Sequence, residues 1–225
     1  MKRTPVITIP LITTENRKGF FWPAAFFVYF SYTLSGFNPF FDPWHPFVTS
    51  FDIMLPFIPE TVWIYLSYVG MLFTTWWWSA QGPGCTRMFW AIVLSSVIAT
   101  IYFLFFPTQI PRITLNAVDA DPATRAAWAF LLAADKPTNC FPSLHVAEAT
   151  LAAIGLARAS PRWAPWGTVW AAAIILTTMT TRQHVLIDVL GGLGLALICW
   201  WLVEKFVAVE GEARQPGSVR DLSHG

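Results

Sequence analysis

The stretch LIDVLGGLGLALICWWLVEKF (186–206) decides how this sequence folds. A helix that crosses the hydrocarbon core of a bilayer needs about 20 mainly apolar residues. This stretch has that length, and its charged residues are confined to Asp188 near the start and to Glu204 and Lys205 at the end. It therefore predicts a membrane-spanning helix that carries one carboxylate inside it.

Five further apolar stretches of similar length precede this one along the chain. They cover residues 20–36, 61–80, 88–106, 142–159 and 163–181. The chain has 12% charged and 55% hydrophobic residues, whereas an ordinary soluble domain has about 25% charged residues. Together these features predict an all-α integral membrane protein with six transmembrane helices in a bundle.

The remaining segments complete the expected domain organisation. We expect a cytoplasmic N-terminal segment at 1–19, a six-span membrane domain at 20–206 and a flexible cytoplasmic tail at 207–225, where the sequence becomes polar. The prolines of 37–60 exclude one regular helix there, and residues 123–134 predict a short interfacial helix. A net charge of +1 without a run of Lys or Arg argues against a nucleic-acid partner.

The Lys and Arg residues predict the orientation of the chain. With the N-terminus inside, ten of them fall on the inner side and four on the outer side. Because cytoplasmic segments carry the excess of Lys and Arg, both chain ends are expected in the cytoplasm. The four outer residues are Arg112, Arg125, Lys136 and Arg182. We expect an integral protein of the plasma (inner) membrane, with its site facing the outside or periplasm, or the lumen of a eukaryotic cell.

Two histidines stand where predicted spans begin on that outer side. His145 follows Phe-Pro-Ser-Leu (141–144), and the free N–H groups of a helix start are suited to binding an anion such as phosphate. His184 comes four residues before Asp188, a spacing that places both side chains on one helix face. A carboxylate in that place fixes the imidazole tautomer and makes the other ring nitrogen more nucleophilic. The pattern predicts a nucleophilic His184 and a separate acid, His145.

Each of these residues also has a purely structural explanation. A single interfacial histidine or a buried Asp188 often serves packing, and Pro142 with Ser143 marks an ordinary helix start. A functional site is favoured because all five residues fall at one predicted membrane face, and because ionisable residues inside spans are costly. A proton relay of a transporter is the alternative from another class. Relay residues belong near the bilayer midplane, however, and these cluster at one end.

The motifs resemble those of a known family. Phe-Pro-Ser-Leu-His (141–145) and His-x-x-x-Asp-x-x-x-Gly (184–192) resemble the second and third signatures of the type 2 phosphatidic acid phosphatase superfamily, which is related to the vanadium haloperoxidases. Its members are six-span lipid phosphatases and phosphotransferases. Leu144, with the segments 106–112 and 135–139, resembles the branch that contains inositol phosphorylceramide synthases, with sphingomyelin synthases as more distant relatives.

The resemblance implies catalytic roles for three residues. His184 would attack phosphorus and form a phosphohistidine, Asp188 would orient it, and His145 would protonate the leaving oxygen. Ser143 would donate a hydrogen bond to a phosphate oxygen. The resemblance implies no cofactor and no metal, and the expected partners are a phospholipid or other lipid phosphate and the bilayer itself.

The cationic part of the site departs from the family pattern. The family's first signature is Lys-x6-Arg-Pro, whereas Phe105 occupies the Lys position before Arg112. Arg182 stands closer to His184 than the corresponding family arginine does, and it is either a phosphate ligand or a solvated interfacial residue. The candidate phosphate-binding cations are therefore Arg112, Arg182 and Lys136.

Two related functions follow from these residues. The first is a membrane lipid phosphatase that hydrolyses a lipid phosphate or diphosphate through a phosphohistidine intermediate. The second is a lipid phosphotransferase that moves a phospho-head group from a phospholipid to an alcohol lipid such as ceramide or diacylglycerol. Both share the first half-reaction, so the motifs do not separate them.

Overall fold

A computed structural model describes residues 7–37, 40–78, 82–135 and 137–210 of the chain. In these ranges the chain forms eight α-helices and one small sheet. The helices are α1 (Arg17–Phe37), α2 (Ser50–Met54), α3 (Val62–Trp78), α4 (Pro83–Phe105), α5 (Pro122–Ala134), α6 (Leu144–Ala159), α7 (Ala164–Thr180) and α8 (Leu186–Phe206). The strands are β1 (Ile7–Ile9) and β2 (Val207–Val209).

Each of the six predicted spans corresponds to one long helix, namely α1, α3, α4, α6, α7 and α8. The mainly helical fold confirms the all-α class. Over the described ranges, α4 and α8 are the two helices that are long and apolar enough to cross a membrane by themselves. The number of helices that cross the bilayer stays a prediction.

Strands β1 and β2 pair in parallel and so join the two terminal segments of the described chain, a contact that the sequence does not predict. Ile7 pairs with Val207 and Ile9 with Val209. Ordered structure therefore continues to Val209, past the predicted start of the flexible tail. Strands of three residues are too short to show an alternating pattern in the sequence. The rest of the predicted tail, 211–225, lies outside the described residues.

Helix α6 lies at the centre of the bundle, packed against α3, α4, α7 and α8. Its buried faces are built from small residues such as Ala147 and Ala152. The close approach of α8 depends on Gly192, where a Cβ would lie 2.4 Å from the carbonyl oxygen of Ser143. Gly192 therefore allows α6 and α8 to pack closely. Gly194, by contrast, faces open space.

Large apolar side chains cover the outside of the bundle. On α1 they include Trp22, Phe26 and Phe30, and on α8 they include Leu197 and Trp201, all of them exposed. Contiguous exposed apolar surface is rare on soluble monomers. Such a distribution is typical of a protein that associates with a membrane.

The long connections lie together at the end of the bundle where α3, α6 and α8 begin. The N–H of Ile58 donates to the carbonyl of Thr180, and the N–H of Thr108 donates to the carbonyl of Thr138. Helix α5 forms where the sequence predicts a short helix, because Asp121 caps its first turn. The described part of the proline-rich segment before α3 contains the five-residue α2 and a 3₁₀ turn that begins at Pro59.

Candidate active site

The start of α6 positions His145. Ser143 is the N-cap, and its hydroxyl accepts a hydrogen bond from the N–H of Val146 at 3.4 Å. The helix therefore begins later than the predicted span 142–159, because a serine hydroxyl satisfies a free N–H group of the first turn. Ser143 is fully buried, and because capping uses only a lone pair of its hydroxyl, the predicted donation of the hydroxyl proton to a phosphate oxygen is compatible with the cap. His145 is the second residue of the helix, close to its free N–H groups.

His184 and Asp188 contact each other at the start of α8. Nδ1 of His184 lies 3.4 Å from Oδ2 of Asp188, and the same oxygen accepts a hydrogen bond from the N–H of Val185 at 3.1 Å. The structure thus contains the predicted pair. The prediction that both residues lie on one helix face is wrong, however, because His184 precedes α8. Asp188 lies in the first turn of α8 and caps the N–H of Val185.

The second ring nitrogen of His184 is free of hydrogen bonds. Within the part of the chain that the structure describes, no group bonds to Nε2, although the residue is only 4% exposed. A buried polar atom without a partner is uncommon and calls for an explanation. When Nδ1–H donates to Asp188, Nε2 carries the lone pair of the imidazole. This nitrogen is therefore available to a substrate.

The structure brings His145 and His184 together from two different helices. Their ring centroids lie 5.9 Å apart. The N–H of Ser143 donates to the carbonyl oxygen of Asp188 at 3.1 Å, which joins the start of α6 to that of α8. His145, His184 and Asp188 therefore form one cluster.

His145 also contacts Tyr65, which in turn bonds to the carboxylate of Asp135. The hydroxyl of Tyr65 lies 3.1 Å from Nε2 of His145 and donates to Oδ2 of Asp135 at 3.3 Å. Nη1 of Arg112 lies 3.2 Å from the same oxygen, and the hydroxyl of Tyr32 donates to the other carboxylate oxygen. Asp135 thus collects three donors and connects Arg112 to His145 through Tyr65.

Arg112 and Asp135 form a largely buried ion pair in the connections between the helices. Burial alone would raise the pKa of Asp135, but the guanidinium of Arg112 outweighs it and holds this pKa below its ordinary value. Burial likewise opposes the charge of Arg112, and the carboxylate of Asp135 outweighs it and raises the pKa of Arg112. Both groups are therefore charged. A phosphate that binds Arg112 would compete with Asp135 for it.

Arg182 binds the backbone of α2 rather than standing free in solvent. Its guanidinium donates to the carbonyl oxygens of Asp52 and Leu55, and its own φ of 54° is uncommon for a residue other than glycine. The side chain of Asp52 in turn accepts a hydrogen bond from the N–H of Leu186 at 2.7 Å. Arg182 therefore fixes the loop before α8. Lys136, the third predicted cation, lies outside the described residues.

Two cavities adjoin the cluster, one at each histidine. The smaller, of about 190 Å³, is lined by His184, Arg182 and Asp52 among others. The larger, of about 370 Å³, lies between α1, α3, α4 and α6 and is lined almost wholly by apolar side chains. It reaches His145 and Glu148. The smaller cavity thus has two charged side chains beside His184, whereas the larger cavity beside His145 is mainly apolar.

Sequence reasoning missed the tyrosines around His145. The rings of Tyr65 and Tyr68 lie 4.8 Å and 4.9 Å from the His145 ring, and that of Tyr32 lies 6.4 Å from it. The available signal was the spacing of Tyr65 and Tyr68, three residues apart in an apolar span, which places them on one helix face. Asp135 carried no such signal, because its partners are distant in the chain.

Comparison with known families supplies an independent finding. A family model described as the PAP2 superfamily matches residues 44–202, more than two thirds of the chain. This range contains His145, His184, Asp188 and Arg112. A comparison with curated proteins and a comparison with solved structures each found no match. The chain therefore belongs to the PAP2 superfamily, whose members are phosphatases and related phosphotransferases.

Proposed function

We propose that this protein is a membrane lipid phosphatase that hydrolyses a lipid phosphate or diphosphate through a phosphohistidine intermediate. The observation that carries the proposal is the state of His184. Its Nδ1 lies against Asp188, its buried Nε2 has no partner among the described residues, and the ring of His145 lies 5.9 Å away. A nucleophile oriented by a carboxylate, with a second histidine opposite, is the arrangement that two-step phosphoryl transfer needs.

The first half-reaction transfers the phosphoryl group to the protein. Nε2 of His184 attacks phosphorus, and the bond from phosphorus to the lipid oxygen breaks. His145 gives its proton to that oxygen, so the lipid leaves as an alcohol, or as a phosphate when the substrate is a diphosphate. Asp188 stabilises the positive charge on His184 through Nδ1–H.

The second half-reaction restores the enzyme. His145, now neutral, takes a proton from a water molecule as that water attacks the phosphohistidine. The bond from phosphorus to Nε2 breaks, inorganic phosphate leaves, and both histidines return to their starting states. His145 thus acts as an acid in the first half-reaction and as a base in the second, as is usual in double-displacement reactions.

Cations and helix N-termini stabilise the charge of the transferring group. Arg182 lines the cavity beside His184, and the first turn of α6 offers backbone N–H groups to an anion. Arg112 is connected to His145 through Asp135 and Tyr65. We assign Arg182 to the phosphate and Arg112 to the electrostatics of His145.

The membrane placement is part of the proposal. Six helices cross the bilayer, and the site lies at the outer ends of α6 and α8. Exposed apolar side chains around the bundle support a lipid environment. The excess of Lys and Arg at the opposite end supports a site that faces the outside or periplasm.

A second candidate function shares this first half-reaction. In a lipid phosphotransferase, an alcohol lipid takes the place of water and His145 removes its proton. The apolar cavity of about 370 Å³ that reaches His145 favours this candidate, since it offers an acceptor lipid a place beside the phosphohistidine. The motif resemblance to inositol phosphorylceramide synthases points in the same direction.

A trapping experiment tests the proposal. Purified protein in detergent micelles receives a lipid phosphate with a radiolabelled phosphorus, and acid-labile label on the protein is measured together with released phosphate. We expect both in the wild type, and a loss of roughly 10⁴-fold or more in His184→Ala. His45→Ala is the matched control, because His45 is exposed and its Nδ1 bonds only to the Gln109 carbonyl in the described structure.

The outcome separates the candidates. Activity retained in His184→Ala would overturn the nucleophile assignment. Addition of ceramide or diacylglycerol to the same assay distinguishes the two reactions, because a phosphotransferase passes the label to the alcohol lipid whereas a phosphatase releases it as inorganic phosphate.

A further inference from the structure

A buried carboxylate beside the large cavity has no role in the proposed reaction. Glu148 lies one turn after His145 on α6 and is fully buried. Its Oε1 accepts a hydrogen bond from the hydroxyl of Ser96 at 2.9 Å, and its Oε2 accepts one from the hydroxyl of Tyr68. Burial of a carboxylate among apolar helices is costly unless donors satisfy it. The chain supplies those donors from α3 and α4.

The contact with Glu148 fixes what Tyr68 can offer to a ligand. A phenol has one proton, and Tyr68 commits it to Glu148, so its oxygen presents only lone pairs. Tyr68 lines the apolar cavity, and its ring packs edge-on against His145 with centroids 4.9 Å apart. A hydrogen-bond acceptor is therefore held in the cavity wall next to the proposed acid.

Tyr32 repeats this arrangement on the facing helix α1. Its hydroxyl donates to the carboxylate of Asp135, its ring lies 6.4 Å from that of His145, and it lines the same cavity. The oxygens of Tyr68 and Tyr32, which line the cavity beside His145, are thus acceptors, because each phenol gives its proton to a carboxylate. Apart from His145, Glu148 and Tyr29, the other residues that line the cavity are aliphatic, aromatic or Met residues.

We propose that the oxygens of Tyr68 and Tyr32 select a lipid that carries a hydroxyl or an amide N–H on a carbon next to the one that bears the reacting oxygen. The hydrocarbon chain of that lipid occupies the apolar cavity, and its reacting oxygen meets His145. The inference rests on the proposed function in that His145 handles the lipid oxygen. Tyr68 and Tyr32 are specificity-determining residues, and Glu148 is a positioning residue that acts through Tyr68.

The selection follows from the cost of unpaired polar atoms. A lipid with a neighbouring donor pairs with the tyrosine oxygens in a water-poor cavity, whereas a plain alkyl lipid leaves them without partners. Sites built to hydrogen-bond a substrate reject analogues that lack the bonding group much more strongly than apolar pockets reject a missing methylene. We expect kcat/KM to favour the donor-bearing lipid by about 10- to 100-fold.

A matched pair of substrates tests the inference. One is octadecyl phosphate, and the other has an acetamido group on the carbon next to the phosphate-bearing carbon. The wild type should prefer the second, Tyr68→Phe should lower the ratio of the two kcat/KM values several-fold, and the double variant Tyr32→Phe/Tyr68→Phe should bring it to near one. Glu148→Gln should also reduce it, because an amide N–H facing Tyr68 lets the phenol point its proton into the cavity.

Controls separate selection from folding. Tyr102→Phe, which removes a hydroxyl from α4 away from this cavity, should keep both the ratio and the activity. Melting temperatures identify variants that are merely unstable, and a purely structural role for Glu148 would lower stability without changing the ratio. A ratio near one in the wild type, or an undiminished ratio in Tyr68→Phe, would overturn the inference.

A binding measurement distinguishes failure of the inference from failure of the proposed function. Radiolabelled octadecanol and its acetamido analogue are titrated into His184→Ala, which needs no turnover. If no lipid phosphate is cleaved by the wild type but the analogue binds more tightly in a way that depends on Tyr68, the proposed reaction fails and the selection stands. If turnover occurs and neither binding nor kcat/KM distinguishes the pair, the selection alone fails.

Discussion

The N–H of Ser143 donates to the backbone carbonyl oxygen of Asp188 at 3.1 Å, so the N-cap residue of α6 is bonded to the first turn of α8. This single bond ties together the turns that carry His145 and His184. Gly192 permits this bond, because the carbonyl oxygen of Ser143 lies so close to α8 at that position that there is no room for a Cβ. The spacing of the two histidines therefore depends on backbone contacts rather than on their own side chains.

Gly192→Ala should separate the two helix starts. A Cβ at this position would lie 2.4 Å from the carbonyl oxygen of Ser143, and a backbone atom cannot move aside without moving α6. We expect a fall in kcat of at least about 10-fold, since small misplacements of reacting groups are costly, together with a lower melting temperature.

The matched control is Gly194→Ala, where a Cβ meets nothing within 4 Å. It should keep full activity and gain stability, because alanine favours a helix by about 1 kcal/mol over glycine. Equal behaviour of the two variants in activity and melting assays would contradict the close-approach argument.

Asp188→Asn should preserve the shape of the site but lower the catalytic rate. An amide can turn its NH₂ group toward Nδ1 of His184, which favours the tautomer whose proton is on Nε2 and removes the nucleophilic lone pair. A fall in kcat of about 10²- to 10⁴-fold is expected. Asp119→Asn, at an exposed position, serves as the control, and steady-state kinetics with a lipid phosphate measures both. Unchanged kcat in Asp188→Asn would show that Asp188 does not orient the nucleophile.

Tyr65→Phe should lower kcat more than it changes KM. The Tyr65 hydroxyl lies between Nε2 of His145 and Oδ2 of Asp135, so its removal disconnects the proposed acid from the carboxylate that supports its charge. We expect a fall in kcat of about 10- to 100-fold. The comparison with Tyr102→Phe corrects for general loss of a phenol, and a change confined to KM would assign Tyr65 to substrate binding instead.

The ion pair of Arg112 and Asp135 should give stability that depends on pH. The pKa of Asp135 is lowered in the folded protein, so the stabilising contribution is complete above the unfolded value of about 3.9 and is lost as the pH falls through the lower folded pKa. Thermal unfolding in detergent, followed from neutral to acid pH, should show this loss in the wild type.

Variants separate the pair from other acid-sensitive groups. Arg112→Met leaves Asp135 buried without its partner and should cost about 3–5 kcal/mol at neutral pH. The double variant Arg112→Met/Asp135→Asn should recover most of that loss and flatten the acid limb. A double variant as unstable as the single one would show that the pair is not the source.

Much of the fold could be predicted because it depends on local sequence. Each long apolar stretch became a helix, since a helix satisfies its own backbone and needs no distant partner. The contact of His184 with Asp188 was also predictable, because four residues separate them. The prediction placed both on the helix, whereas the cap that Asp188 forms on Val185 stops α8 short of His184.

The rest of the site depends on contacts between distant parts of the chain. The sequence allows Arg182 to be a phosphate ligand or a solvated residue, and it does not predict the bonds to the carbonyls of Asp52 and Leu55. Tyr65 and Asp135 meet His145 only after α3 and the segment after α5 have packed against α6. No spacing rule reports such meetings, so the cationic and tyrosine parts of the cluster required the structure.

The large cavity has a consequence for how the enzyme must be assayed. Three of the residues that line it, Tyr29, Val69 and Phe73, are also exposed on the outer wall of the bundle, so its mouth opens sideways between α1 and α3. In the proposed membrane placement, a substrate that enters there comes from within the plane of the bilayer. The rate should therefore follow the mole fraction of lipid in the micelle or membrane, and dilution with inert detergent at constant bulk concentration should slow it.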